Sequence, residues 1–359
     1  MDVIDQPKSV RAGEELDLGK LDGYLSKHLA GYSGPLVVEQ FPSGYSNLTY
    51  LLRAGDQQLV LRRPPFGAQA KGGHDMSREY KILSHLIDVY PKVPRPLIYC
   101  NDESVLGAPF YVMERLHGII LRASKPKGLE LTPDLMASLS ESFVDALAEL
   151  HRLDPAAAGL TDLGRPEGYV KRQVEGWIER YRKAQTDDIP AMEQLAAWMP
   201  EHIPAEAGTA LIHNDFKYDN LVLNPDDLPQ IIGVLDWEMA TLGDPLMDLG
   251  TTLGYWVDPD DPPELKMLAF VLTALPGNLN RQQVVDRYTE KTDRDIPDAM
   301  FYYVYGLFKI GVIAQQIYYR FKHGFTKDPR FGALILGVQA LSKTGTLALD
   351  KGRIHHLTA

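Results

Sequence analysis

The hydrophobic rhythm of the chain changes once, near residue 117, and this change constrains the fold more than any other feature. From Leu36 to Pro65 the sequence reads "LVVEQFPSGYSNLTYLLRAGDQQLVLRRPP", three short apolar runs separated by a Pro/Ser/Gly turn and by "AGDQ". That is the pattern of consecutive antiparallel strands. The following stretch, "DMSREYKILSHLIDVY", predicts a helix with Tyr80, Leu83, Leu86 and Ile87 on one face, stopped by Pro91, Pro94 and Pro96. "APFYVMERLHG" reads as one more buried strand. Beyond it, apolar residues recur at helical spacing. In "LTPDLMASLSESFVDALAELHRLD", Thr132 is placed to cap a helix that starts at Pro133 and carries a stripe of Leu135, Leu139, Phe143, Leu147 and Leu150. Further helices are expected near 169–185, 190–199, 263–275 and 297–322, with short strands around "LIHNDF", "NLVLN" and "IIGVLDW". A β-rich part followed by a helix-rich part is an α+β arrangement, divided here into 1–116 and 117–359 with a cleft between two lobes.

With 359 residues, two lobes can each bury a core. A formal net charge of -11 argues against a nucleic-acid partner, which requires clustered Lys and Arg to neutralise phosphates. The single cysteine, Cys100, excludes an internal disulfide and a multi-cysteine zinc site and suits a reducing, cytoplasmic setting. The N-terminus lacks the basic start and apolar core of a secretory signal. The best membrane-span candidate, "MFYYVYGLFKIGVIAQQIYY", is interrupted by Lys309, Gln315 and Gln316 and is expected to be a buried core helix rather than a span.

The chemistry concentrates in "LIHNDFKYDNLVL", residues 211–223, where an apolar run breaks for His213, Asp215, Lys217, Asp219 and Asn220 and resumes at once. Phosphoryl transfer of the kinase class needs a carboxylate to accept the substrate hydroxyl proton and a nearby Asn oxygen for Mg2+. Asp215 and Asn220, five positions apart, supply both on one loop. The next strand, "IIGVLDWE", ends at Asp236, a carboxylate whose natural partner at the end of an apolar run is a hard cation. A polar turn between two strands is the alternative for 213–220. His213 reads as a structural residue fixing the loop. Asp244 and Asp248 read as capping or loop-bonding groups, and His151 as the last-turn residue of its helix.

Taken together, "FPSGYSNLTYLL", "LVLRRPP", "SREYKIL", "FYVMERLHG", "HNDFKYDN" and "VLDWEMATLGDPLMDLG" resemble the aminoglycoside phosphotransferase family, with its protein-kinase-like fold. Within it the chain is similar to the kinase-like domains of the acyl-CoA dehydrogenase 10/11 type. The resemblance implies transfer of the γ-phosphoryl group of ATP, or of GTP, to a hydroxyl of a small molecule. It makes Asp215 the base, with Mg2+ on Asn220 and Asp236. Gly44, Ser46 and Asn47 would form the loop over the phosphates, and Glu79 would pair with a basic side chain on the "LVLRR" strand. Met113, Glu114 and Arg115 would form the linker against the nucleotide base.

Three departures from the family pattern stand out. The strand carries Arg62 and Arg63 where the family has Lys, and alternation along the strand selects Arg62. The phosphate loop has one glycine, Gly44. Trp237 and Glu238 follow Asp236, unlike the Phe-Gly of protein kinases, which favours a small-molecule kinase over a protein kinase. A nucleotide-binding scaffold without catalysis is the reading from a different class. Aminoglycosides, choline-like alcohols and hydroxyacyl thioesters all remain open as acceptors. Tyr169, Arg172, Gln173 and Trp177 read equally as an acceptor surface or as a packed helix, and oligomeric state is not legible.

Overall fold

The structure is a computed structural model that describes every residue except 1–4, 43–46, 68–73, 124–125, 127, 269–270 and 327. It separates into two compact units, the first formed by Met1–Ile120, Ala158–Leu160 and Asn220–Met239, the second by Leu121–Ala157, Thr161–Asp219 and Ala240–Ala359. The segment 220–239 follows the change of rhythm near residue 117, yet it belongs with the first unit.

The first unit opens with helix α1 (Leu18–His28), whose Asp17 cap accepts from the Lys20 amide. Strands β1 (Leu36–Gln40), β2 (Leu48–Ala54) and β3 (Gln57–Arg63) follow as an antiparallel meander. Gly55 adopts a φ of 57° in the tight β2–β3 turn, a conformation glycine enters without steric cost. Helix α2 (Met76–Leu86), strand β4 (Pro96–Cys100), the short α3 (Glu103–Leu106) and strand β5 (Phe110–Glu114) complete a five-stranded sheet of order β1-β2-β3-β5-β4. The face of α2 differs from the expected one. Met76, Glu79, Ile82, Leu83 and Leu86 are buried while Tyr80 and Ile87 are half-exposed, because an ion pair draws Glu79 inward.

The second unit contributes α4 (Pro133–His151), capped by Thr132 as the sequence requires, then α5 (Tyr169–Ala184), α6 (Pro190–Glu201) and strand β6 (Ala210–Ile212). The chain returns to the first unit for a ribbon of β7 (Leu221–Leu223) and β8 (Ile231–Val234). It re-enters the second with β9 (Thr241–Gly243), which pairs with β6, and with α7 (Pro245–Tyr255). The helix expected over 263–275 is broken into α8 (Pro263–Lys266) and a 3₁₀ turn at Val271–Ala274. Thr273 is the reason: its hydroxyl donates to the Val257 carbonyl at 3.0 Å and accepts the Val257 amide at 2.8 Å, which holds the turn against the end of α7.

Three helices complete the unit: α9 (Arg281–Thr292), opened by an Asn280/Gln283 capping box, α10 (Ala299–Lys322) and α11 (Leu334–Lys351). As expected, the first half of α10 is buried. Among the described residues, the one helical stretch that passes a membrane-span test of length and composition is 329–351, with 44% of its apolar window buried in the protein.

Helices α7 and α10 meet backbone to backbone. A Cβ on Gly306 would lie 1.9 Å from the Gly250 carbonyl oxygen, and one on Gly254 would lie 2.7 Å from the Gly306 carbonyl carbon. No neighbouring side chain can swing aside to relieve such contacts. Gly306→Ala is therefore expected to destabilise the protein by about 1–3 kcal/mol. Gly311→Ala on the same helix meets only the Met192 sulfur at 3.5 Å and should be neutral or slightly stabilising. Chemical denaturation of both variants checks the contrast.

Candidate active site

The polar loop is built upon a buried charge. Strand β6 delivers the chain to His213, and the next two amides point at Asp248, one turn into α7. The Asp248 carboxylate, fully buried, accepts the His213 amide at 2.6 Å and the Asn214 amide at 2.7 Å. It also lies 3.1 Å from His151 Nε2, while His151 Nδ1 lies 2.7 Å from the Tyr288 hydroxyl. With a proton on Nε2, the imidazole donates to Asp248 and accepts from Tyr288, so both nitrogens are satisfied. Burial would raise the Asp248 carboxyl, but the His151 hydrogen bond and the nearby positive charge hold it below the usual 3.8.

Asn214 has a φ of 68°, uncommon for a residue with a side chain. Its carbonyl and Oδ1 both accept from Lys309 of α10, at 2.9 Å and 3.2 Å, and its Nδ2 lies 3.2 Å from the Tyr169 hydroxyl. Asp215 comes next. Its amide donates to His213 Nδ1 at 3.2 Å, which gives His213 the structural part expected of it. The Asp215 carboxylate pairs with Lys217 Nζ at 3.0 Å and hydrogen-bonds the Tyr255 hydroxyl. Lys217 also lies over the Tyr255 ring, 4.9 Å from its centre. Asp244, the other acidic residue of "GDPLMDLG", caps α7 by accepting the Leu246 amide at 2.8 Å.

In the first unit a second cluster forms around Arg62. Its guanidinium lies 3.2 Å from Glu79 of α2, 2.9 Å from Asp236 and 3.5 Å from Glu238. Arg63 faces away, donating to the carbonyls of Pro64 and Leu106. Burial raises the Glu79 carboxyl, opposed by the Arg62 charge. Burial lowers the Arg62 guanidinium, yet Glu79 and Asp236 outweigh it and the net shift is upward. Glu238 accepts Asn47 Nδ2 at 2.6 Å, and Asn47 Oδ1 meets His74 Nδ1 at 2.9 Å. Asn220 joins through the ribbon: its carbonyl accepts the Leu235 amide at 2.8 Å, so Asn220 and Asp236 stand at adjoining strand ends. Asp236, like Asn214, has a φ of 68°.

No cluster of three His, Cys, Asp or Glu ligands occurs among the described residues. Mg2+ keeps water and takes one or two carboxylates together with phosphate oxygens. Asn220 and Asp236 are hard oxygen donors of the right kind to hold it.

A model of the phosphotransferase enzyme family matches residues 37–278. The chain belongs to that family. It is 34% identical over 354 residues to acyl-CoA dehydrogenase family member 11 of Rattus norvegicus, covering 96% of this chain and 45% of that one. The chain thus spans less than half the length of the curated relatives it matches. A crystal structure from Ralstonia eutropha, named as a candidate aminoglycoside phosphotransferase, is 32% identical with a TM-score of 0.79, covering 94% of this chain and 99% of the other. Spectinomycin phosphotransferase in complex with ADP and its antibiotic shares the fold at 12% identity and a TM-score of 0.60, covering 91% and 98%. The fold is the two-lobed, protein-kinase-like one, an antiparallel sheet followed by a mainly helical part.

The remaining expected residues fall as follows. Gly44 and Ser46 lie outside the described residues. Asn47 is drawn into the Arg62 cluster through Glu238. Met113 is buried in β5 opposite Val60, Glu114 is exposed with its amide donated to Arg95, and Arg115 donates to Gln58 and to the Asp5 carbonyl. The side chains of these three do not reach Arg62's carboxylates. In α5, Arg172 bonds the carbonyls of Glu167 and Arg165, Gln173 accepts from Trp177, and Trp177 is buried beneath Arg180, an arrangement of helix packing. Glu238, Tyr255, Tyr288, His74 and Lys309 were given no such part by the sequence, and His151 was expected only as a last-turn residue of its helix.

Asp248→Asn leaves an amide group facing a backbone donor. It is expected to cost about 3 kcal/mol or more. Because the folded carboxyl lies below its unfolded value, the stabilisation is present above about pH 4 and is lost as pH falls through the folded value. The gap between wild type and variant in urea denaturation should be constant near neutrality and narrow in acid.

Proposed function

We propose that the protein transfers the γ-phosphoryl group of ATP, or of GTP, to a hydroxyl group of a small molecule, with Mg2+ as cofactor. The observation that carries this reading is the Arg62 cluster, a buried guanidinium shared among Glu79, Asp236 and Glu238 at the strand ends where Asn220 and Asp236 adjoin. Mg2+ supplies neutralisation of the phosphate oxygens when bound. Asn220 and Asp236 hold it, and Arg62, kept in place by Glu79, directs its guanidinium at the phosphates.

Asp215 orients the acceptor hydroxyl and receives its proton. Lys217 fixes that carboxylate from one side and Tyr255 from another, so it meets the acceptor in a single rotamer. Asp215 and Asn220 are five positions apart, a length that keeps base and metal donor on one continuous segment. Membership of the family supports the reaction class, and the ADP held by the spectinomycin enzyme supports a nucleotide donor. The acceptor class rests on assay: aminoglycosides, choline and hydroxyacyl thioesters are the compounds to offer.

Purified protein with Mg2+ and ATP or GTP is expected to consume nucleotide in the presence of one acceptor class. Asp215→Asn should lower kcat by about 10²- to 10⁴-fold with little change in nucleotide affinity. Asp236→Asn should raise the Mg2+ concentration required. Turnover that survives Asp215→Asn would reject the mechanism, and tight nucleotide binding without turnover on any acceptor would make the protein a binding scaffold.

A further inference from the structure

Lys309 lies on the inner face of α10 and is 1% exposed. An ammonium has three donors, and all three are used: on the Asn214 carbonyl at 2.9 Å, Asn214 Oδ1 at 3.2 Å and the Thr251 hydroxyl at 3.2 Å. Two of these acceptors belong to one residue. That residue holds a φ of 68° and immediately precedes Asp215. A donor that bridges a residue's backbone carbonyl and its side-chain oxygen is satisfied at one combination of backbone and side-chain angles. Burying an ammonium is expensive, and an apolar side chain of similar length would fill the same space without that cost. Packing alone therefore does not account for a lysine.

We propose that Lys309 is a positioning residue for Asp215: its ammonium form clamps Asn214 in the left-handed conformation, and loss of the proton releases the loop. The proposal rests on the reading of Asp215 as the base.

A neutral amine keeps two donors, and the Thr251 hydroxyl could serve its lone pair only by giving up its own bond to the Met247 carbonyl at 3.0 Å, so one contact of the set is lost. Burial pushes the Lys309 ammonium down to about 8; Asp248 and Asp215 hold it up, and Lys217 and Arg180 press it lower. These charges face it from α7, from the loop and from α5, and the Trp177 ring of α5 lies 5.9 Å away. Because the folded value lies below the ordinary 10.5, the unfolded chain binds more protons between the two values, and this group's contribution to global stability rises with pH there. Loop release runs in the opposite direction. A lysine with a merely structural role would move loop order and global stability together.

The test is amide hydrogen exchange of the full chain, followed in peptides spanning 211–219 and corrected for intrinsic rates, from about pH 6.5 to about pH 9.5. Wild-type protection of the loop is expected to fall roughly tenfold through a transition near pH 8. Lys309→Met should lack that protection throughout and show a flat profile. Glycine adopts a positive φ without strain, so the Lys309→Met effect should shrink in an Asn214→Gly background.

Wild-type protection and profile in Lys309→Met, or an equal effect in both backgrounds, would overturn the proposal. Where Lys309→Met does not fold, Thr251→Val decides. Removing one acceptor should move the transition to lower pH, and an unmoved transition counts against the clamp. The readout needs no turnover: a loop that responds as stated in a protein that consumes no nucleotide keeps the clamp and removes the kinase reading. Turnover with an unresponsive loop does the reverse.

Discussion

A fully buried carboxylate, Asp248, receives two consecutive backbone N–H groups, and the shape of the whole polar loop follows from that arrangement. Backbone donors inside a protein need acceptors, and a loop has no ladder of its own to provide them. Here one side chain from α7 does the work of a strand partner. The cost of ionising it indoors is met by His151 and by nearby positive charge, and His151 is in turn fixed by Tyr288. The chain thus reaches Asp215 with its direction already determined.

The two clusters handle charge differently. In the second unit Asp248 has His151, and Asp215 has Lys217, which also lies 3.9 Å from Asp219. In the first unit one guanidinium serves three carboxylates. Two like charges 4 Å apart repel by about 4 kcal/mol at an effective dielectric of 20. Carboxylates gathered around one guanidinium repel one another, and a cation among them lowers that cost. The division agrees with a chemistry in which metal and phosphates belong to one set of residues and proton transfer to another.

Local pattern carried most of the fold and part of the site. Alternation put Val60 and Arg62 on one face of β3, and the Arg62–Glu79 pair follows from it. The N-cap at Thr132 and the cap at Asp244 were legible because caps are local. Helices α1 and α11 were not, since Gly19 and Gly23 in one and Gly337, Thr344 and Gly345 in the other dilute the helical signal. His151 reads from sequence only as a last-turn residue because its partners are 97 and 137 residues away. Lys309 looked like an interruption of an apolar helix for the same reason: its acceptor at Asn214 is 95 residues distant. Long-range partners leave no periodic trace. Glu238 was recorded only as a departure from Phe-Gly, although its contacts reach both Arg62 and Asn47.

The meeting of Gly250 and Gly254 with Gly306 bears on movement as well as on packing. Helices separated by interlocking side chains can slide by exchanging rotamers, but helices touching through bare backbone have no such freedom. A shift of one turn along α10 would bring Tyr302 or Ile310 to the place of Gly306, where the space is smaller than a methyl group. Asp248 on α7 and Lys309 on α10 therefore sit on one rigid frame. Any rearrangement of the polar loop must come from the loop's own torsions, like a gate swinging on posts that are set in the ground.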